Sequence, residues 1–247
     1  MKKISGIFLV LCVVLACAPA RAAGPIKIGV IAPLTGEFDT FGNKVVLGAR
    51  LAMEFFLQHD PSAPVELLIQ DSVGRPEMAA NAASKLVKDG VVGVVAGPFP
   101  SHNLYAARIL EEHHIPLIPA IHQDGDAAQL APENAVASEF HRLYCREGHS
   151  FQDAIPPVVL SAFDATLALL LSAKAVDYPP DPKRIARQLT STQFNVASGG
   201  IIFSAADPDN TGATPMGISP PNVIMQPNQC LTCDCERDHC RHCDRCQ

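Results

Sequence analysis

Basic side chains are in short supply in this 247-residue chain, with 19 Lys and Arg against 25 Asp and Glu. That balance argues against nucleic acid or an anionic membrane surface as a partner. The chain also lacks several catalytic signatures. There is no Gly-x-Ser-x-Gly elbow, and the loop after the first predicted strand lacks the glycine spacing of a phosphate or dinucleotide cradle. His113 and His114 form a pair at a predicted helix end, but no third metal ligand accompanies them. No internal repeat is present. Beyond the N-terminus no segment is long and apolar enough to span a bilayer, since Ser161 and Asp164 interrupt the run at 158–171.

What is there begins with an export signal. Lys2 and Lys3 precede an apolar run at 7–16, followed by the small-residue cleavage patterns Ala18-Pro19-Ala20 and Ala20-Arg21-Ala22. Processing after Ala22 or Ala23 removes three bases and no acid. The mature chain then carries 16 bases against 25 acids, a net charge near −9. The alternative is a lipoprotein acylated on Cys17, behind Val14-Leu15-Ala16. Either way the protein is expected to be periplasmic or secreted.

Behind the signal, residues 26–42 read IKIGVIAPLTGEFDTFG. The β-branched run 26–31 predicts a buried strand, and Pro33, Gly36 and Gly42 a loop. Further strands are expected at 65–70, 91–96 and 115–121, with helices at 43–59, 76–89 and 101–113. Pro76 suits a first helical turn and Gly90 a helix end. The order βαβαβαβ with short connections predicts right-handed crossovers and a parallel sheet. Residues 122–137 read as a connection. Helices follow at 138–147, 157–176 and 181–189, then a hairpin at 194–204 around Gly199-Gly200. The stretch 207–221 is Pro/Gly/Asp-rich and irregular.

The opening stretch, together with 91–120 and 138–203, resembles the type I periplasmic solute-binding proteins, the group that holds the leucine/isoleucine/valine-binding proteins of ABC importers. FHRLYCREGHSFQD followed by SAFDATLALLLSA is similar to that family's aromatic-rich helix and the helix after it, and FNVASGGIIFSAAD to its glycine-containing turn and strand. The resemblance implies an α/β fold: a three-layer parallel-sheet lobe of the periplasmic-binding-protein type I fold. Family members have two lobes that close on a ligand, the chain leaving lobe one and returning to it. Here only about 16 residues separate the two passes, where a second lobe would need on the order of 100. The expected organisation is a signal at 1–22, a single ligand-binding lobe at 23–219 with the second lobe deleted near 122–137, and a Cys-rich tail at 220–247.

The same resemblance implies the site. Ser101 matches the serine that binds a ligand α-carboxylate, and its place at a helix start supplies free N–H groups and a favourable dipole. A plain N-cap is the competing reading of Ser101. His102 stands where a small residue is common and either contacts or blocks the ligand. Pro100 stands where a second serine is common. Phe41 matches an aromatic lining the ligand side chain, or else packs a loop on the sheet. Ala120, Ile121 and His122 lie where the family uses backbone carbonyls and a hydroxyl. Asp71 reads as structural, fixing a loop, and Cys145 as buried and inert.

Six cysteines crowd the tail: Cys230, Cys233, Cys235, Cys240, Cys243 and Cys246, with His239 and His242 among them. Thiolates at this spacing suit zinc or copper(I) in a metallothionein-like knot. Disulfides in an oxidising compartment, or the broken start of a further domain, explain the same pattern. A c-type haem is disfavoured, because Asp234, Asp244 and Gln247, not His, follow the Cys pairs. The function implied is non-catalytic capture of a small amino acid or amide of the branched-chain type and its presentation to ABC transporter membrane subunits. The rivals are a sensory or interaction module, and a metal-handling protein acting through the tail. Pairing of two copies to rebuild a cleft stays open.

Overall fold

The computed structural model describes residues 24–121, 130–131, 134–150 and 152–203. The expected signal with Cys17, His122, most of the connecting stretch and the Cys-rich tail lie outside the described residues.

Four parallel strands form one sheet: β1 (Ile26–Ala32), β2 (Val65–Asp71), β3 (Gly93–Ala96) and β4 (Leu117–Pro119), in the order β2-β1-β3-β4. The first three are each followed by a helical crossover. Helices α1 (Asp39–His59), α2 (Pro76–Asp89) and α3 (Pro100–Glu112) make the crossovers; α4 (Ala135–Arg146), α5 (Pro157–Ala175) and α6 (Pro182–Ser191) follow. A separate antiparallel hairpin joins β5 (Gln193–Val196) to β6 (Gly199–Ile202).

The period of two along the strands divides the core between the two faces of the sheet. Ile28, Val30, Ala32, Val95 and Ile118 face α1, α5 and the hairpin. Ile31, Val94, Ala96 and Leu117 face α2 and α3. A parallel sheet covered on both sides needs such continuous apolar strands.

Helix α5 is apolar all round because it is buried all round. Contrary to the sequence reading of 158–171, this 19-residue helix is long and apolar enough to suit a membrane span, yet 78% of that window is buried inside the lobe. It lies directly on α1. At Gly48 a Cβ would stand 2.2 Å from the Val159 carbonyl oxygen, so only glycine permits this approach.

Boundaries differ from the sequence reading in informative ways. Helix α1 begins four residues before the expected 43. Gly42 and Phe41 are therefore in its first turn and not in a loop, and Gly42 is pressed so closely on Pro33 that a Cβ would meet its carbonyl. Strands β3 and β4 are shorter than the apolar runs that hold them, because Val91, Val92 and Ile115 pack as strand approaches outside the ladder. Helix α4 begins at Ala135, earlier than 138, since Asn134 caps it by accepting from the Val136 N–H at 2.9 Å. Helix α6 is capped as expected, Asp181 accepting from the Lys183 N–H at 3.1 Å.

Candidate binding edge

Chain direction reverses between β1 and β3. The connection from β1 goes outward to β2, and the next returns across β1 to β3. The crevice outside the carboxyl ends of β1 and β3 is therefore the place where an open α/β sheet offers a ligand site.

Two loops build it. After β1, residues 33–38 lead into α1; after β3, Gly97, Pro98 and Phe99 lead into α3. The N-cap of α3 is Phe99 and Pro100 is its first helical residue, so Ser101 sits at the second position. This corrects the N-cap reading of Ser101: no side chain caps this helix. The His102 and Asn103 N–H groups both turn back to the Phe99 carbonyl, at 3.0 Å each. At the second position the Ser101 N–H has no acceptor within the helix. Ser101 is exposed, with its hydroxyl beside that amide at the positive end of the helix dipole.

Four rings gather over the same spot. The Phe99 ring lies 4.8 Å from Phe38, 6.0 Å from Phe41 and 5.3 Å from His102, centroid to centroid. Phe41 is thus both a packing residue and an exposed one, and Lys44 Nζ stands 5.9 Å from its ring centre. His102 Nδ1 is buried and has no hydrogen-bond partner among the described residues. A buried acceptor or donor left open beside a helix N-terminus is a polar atom that a ligand could satisfy. Ala120 is fully buried with its N–H donated to the Ala96 carbonyl at 2.8 Å, and Ile121 is half-buried just beyond β4. The structure thus brings Ser101, His102 and Phe41 together, and puts Ala120 and Ile121 past the end of β4.

Asp71 has the structural role read from sequence. Its carboxylate accepts from the Leu34 N–H at 2.8 Å, the Thr35 hydroxyl at 2.6 Å and the Val73 N–H at 2.7 Å. Burial opposes its ionisation, but the hydrogen bonds from Thr35, Leu34 and Val73 outweigh it and hold the carboxyl below the usual range. It ties the loop after β1 to the turn after β2. In that turn Val73 has a φ of 52°, a conformation costly for a β-branched residue. Cys145 is half-buried, not buried as expected.

Two residues escaped the sequence reading. Asn103 is buried and donates to the Gly97 carbonyl at 2.8 Å, fastening the loop to the helix it opens. The signal was available: Asn103 occupies the first place of the buried series Asn103, Ala106, Ala107, Leu110. Asp164, in the middle of α5, is buried and accepts from the N–H groups of Ala197 and Ser198, at 3.0 and 3.3 Å. It anchors the turn of the β5–β6 hairpin. Burial pushes its carboxyl up to about 7, against those two bonds.

A periplasmic binding protein family model matches residues 25–144. Leu/Ile/Val-binding protein homolog 3 of Brucella melitensis is 38% identical over 78 residues, 31% of this chain and 21% of that protein. Leu/Ile/Val-binding protein BraC3 of Rhizobium johnstonii is 39% identical over 89 residues, 35% of this chain and 24% of that one. The matched stretch thus spans a quarter or less of these curated relatives. In fold, the chain is similar to the leucine binding protein LivK of Thermotoga maritima, with a TM-score of 0.60 at 17% identity over 76% of this chain and 93% of that one. Residues 25–144 are thus similar to the periplasmic binding protein family, and the described residues share the fold of the leucine binding protein LivK.

Proposed function

We propose that the protein is the extracytoplasmic solute-binding component of an ABC-type importer, and that it takes a small amino acid or amide of the branched-chain type without covalent chemistry. The observation that carries this reading is the exposed amide and hydroxyl of Ser101 at the start of α3, set beside the ring cluster in the crevice between β1 and β3. The N–H groups of a helix start hold a carboxylate, and the rings give an apolar wall for its substituent. The Leu/Ile/Val-binding names of the two curated relatives support the branched-chain class.

The test is thermal unfolding of the mature chain against free amino acids and small amides. A ligand that binds only the folded state raises stability in proportion to RT ln(1 + [L]/Kd). Leucine, isoleucine or valine is expected to raise the midpoint in a concentration-dependent way. Ser101→Ala should weaken that response about tenfold, the worth of one hydrogen bond to a charged group, and leave the unliganded midpoint in place. A cooperative transition that no ligand moves would sink the reading in favour of an interaction module. The cysteines between Cys230 and Cys246 carry a second, independent reading of metal binding. It predicts bound zinc or copper(I) in stoichiometric amount, lost when those cysteines are replaced by serine.

A further inference from the structure

Among the described residues, the binding edge has one wall. A ligand held at Ser101 would be covered by the ring cluster below and left in water above, whereas small-molecule sites bury most of their ligand. Among the described residues, this end of the sheet also carries exposed apolar side chains. Five large hydrophobic side chains are exposed, and three of them lie here: Phe41 at 46%, Tyr105 at 45% and Met78 at 38%. They belong to the first two turns of α1, α3 and α2, the three helices that start from this end of the sheet.

Their arrangement is two-sided. Phe41 is on the face of the sheet covered by α1, and Met78 and Tyr105 on the face covered by α2 and α3. Charge follows the same division. Glu37 and Asp39 are exposed at the entry to α1; Arg75 and Arg108 are exposed on the α2 and α3 side. None of the four makes an ion pair among the described residues. Lys44 and Glu77 run against the pattern and Lys85 with it, so over the first three turns the α1 side carries about one net negative charge and the other side about two net positive charges.

From this we infer that a second copy of the chain covers the edge. In a two-fold arrangement each side of one copy meets the other side of its mate. Phe41 of each then faces Met78 and Tyr105 of the other, and Glu37 and Asp39 face Arg75 and Arg108. The mate supplies the missing wall over Ser101, so two binding edges become one enclosed chamber. The ligand part of this inference rests on the function proposed above; the interface part does not.

The experiment is sedimentation equilibrium of the full mature chain, under reducing conditions so that the tail cysteines cannot link copies, and without ligand. A concentration-dependent dimer is expected. Glu37→Arg and Arg75→Glu should each weaken it about tenfold, and the two together should restore it to within about threefold, because the swap rebuilds the pair with reversed sign. Phe41→Asp should leave a monomer. A monomer at every concentration, or a dimer that none of these changes weakens, overturns the interface. The two proposals fail separately. A dimer whose midpoint leucine does not move keeps the interface and sinks the binding reading. A monomer whose midpoint leucine raises does the reverse.

Discussion

Two carboxylates in this lobe respond to pH in opposite directions. Asp71 is held below its ordinary range by three hydrogen bonds, so its contribution is present above the unfolded value near 3.8 and lost as pH falls through the depressed folded value. Replacing it with alanine should cost about 1–3 kcal/mol, read as a lower unfolding midpoint, and should loosen the loop that carries Phe38. Asp164 is raised to about 7. The folded protein therefore holds a proton there that the unfolded chain has released, and stability declines as pH climbs from about 4 towards about 7, then levels off. Asp164→Asn should flatten that decline in a series of unfolding curves taken across the interval. A decline that persists unchanged in the variant would place its origin elsewhere. Val73 offers a third case: with its φ at 52°, Val73→Gly should stabilise the lobe by about 1 kcal/mol.

Among the elements, α1 and α5 form the contact on which the lobe depends most. Their close approach is set by Gly48, whose missing Cβ leaves room for the backbone of α5 at Val159. Backbone cannot swing aside as a side-chain tip can. Gly48→Ala should therefore destabilise by about 3 kcal/mol, with the loss visible as a reduced midpoint in urea at unchanged slope. Element α3 plays the other main part. Its first turn bears Ser101 and His102, while its buried face begins with Asn103, which ties the loop down through Gly97. Asn103→Leu should impair ligand response by displacing the Ser101 amide, because it removes the bond to the Gly97 carbonyl. Rigid attachment of the loop to the helix is what gives an exposed amide a fixed direction.

At the scale of the molecule, the described residues cover the parallel sheet on both faces and leave its carboxyl edge open. That openness links the two functional statements made above. A single edge can orient a carboxylate at a helix start, and only an enclosure can exclude enough water to hold it tightly. If both proposals hold, ligand response and association state report on the same edge of the sheet.

Much of this was legible in the residues. The β-branched runs, the proline at the first turn of α2 with Gly90 beyond its end, and the Asp181-Pro182 start of α6 each carry a local physical cause, so strand, helix and cap could be read without a neighbour. The parallel sheet followed from the alternation of strands and helices with short connections. Ser101 and Phe41 were named from the resemblance and from their place after a strand, and Asp71 was rightly read as structural. What the chain could not reveal by itself depends on atoms far apart in sequence. Asp164 is 33 positions from the Ala197 amide it accepts, and its raised pKa comes from burial that no local pattern records. Phe99, Phe38, Phe41 and His102 converge because two different loops meet at one end of the sheet. The early start of α1 brings Gly42 against Pro33, whose carbonyl leaves space for nothing larger than glycine. Local chemistry determined the elements, and tertiary packing determined which side chains share a surface, because only packing sets what each buried group has lost from water and what it has gained instead.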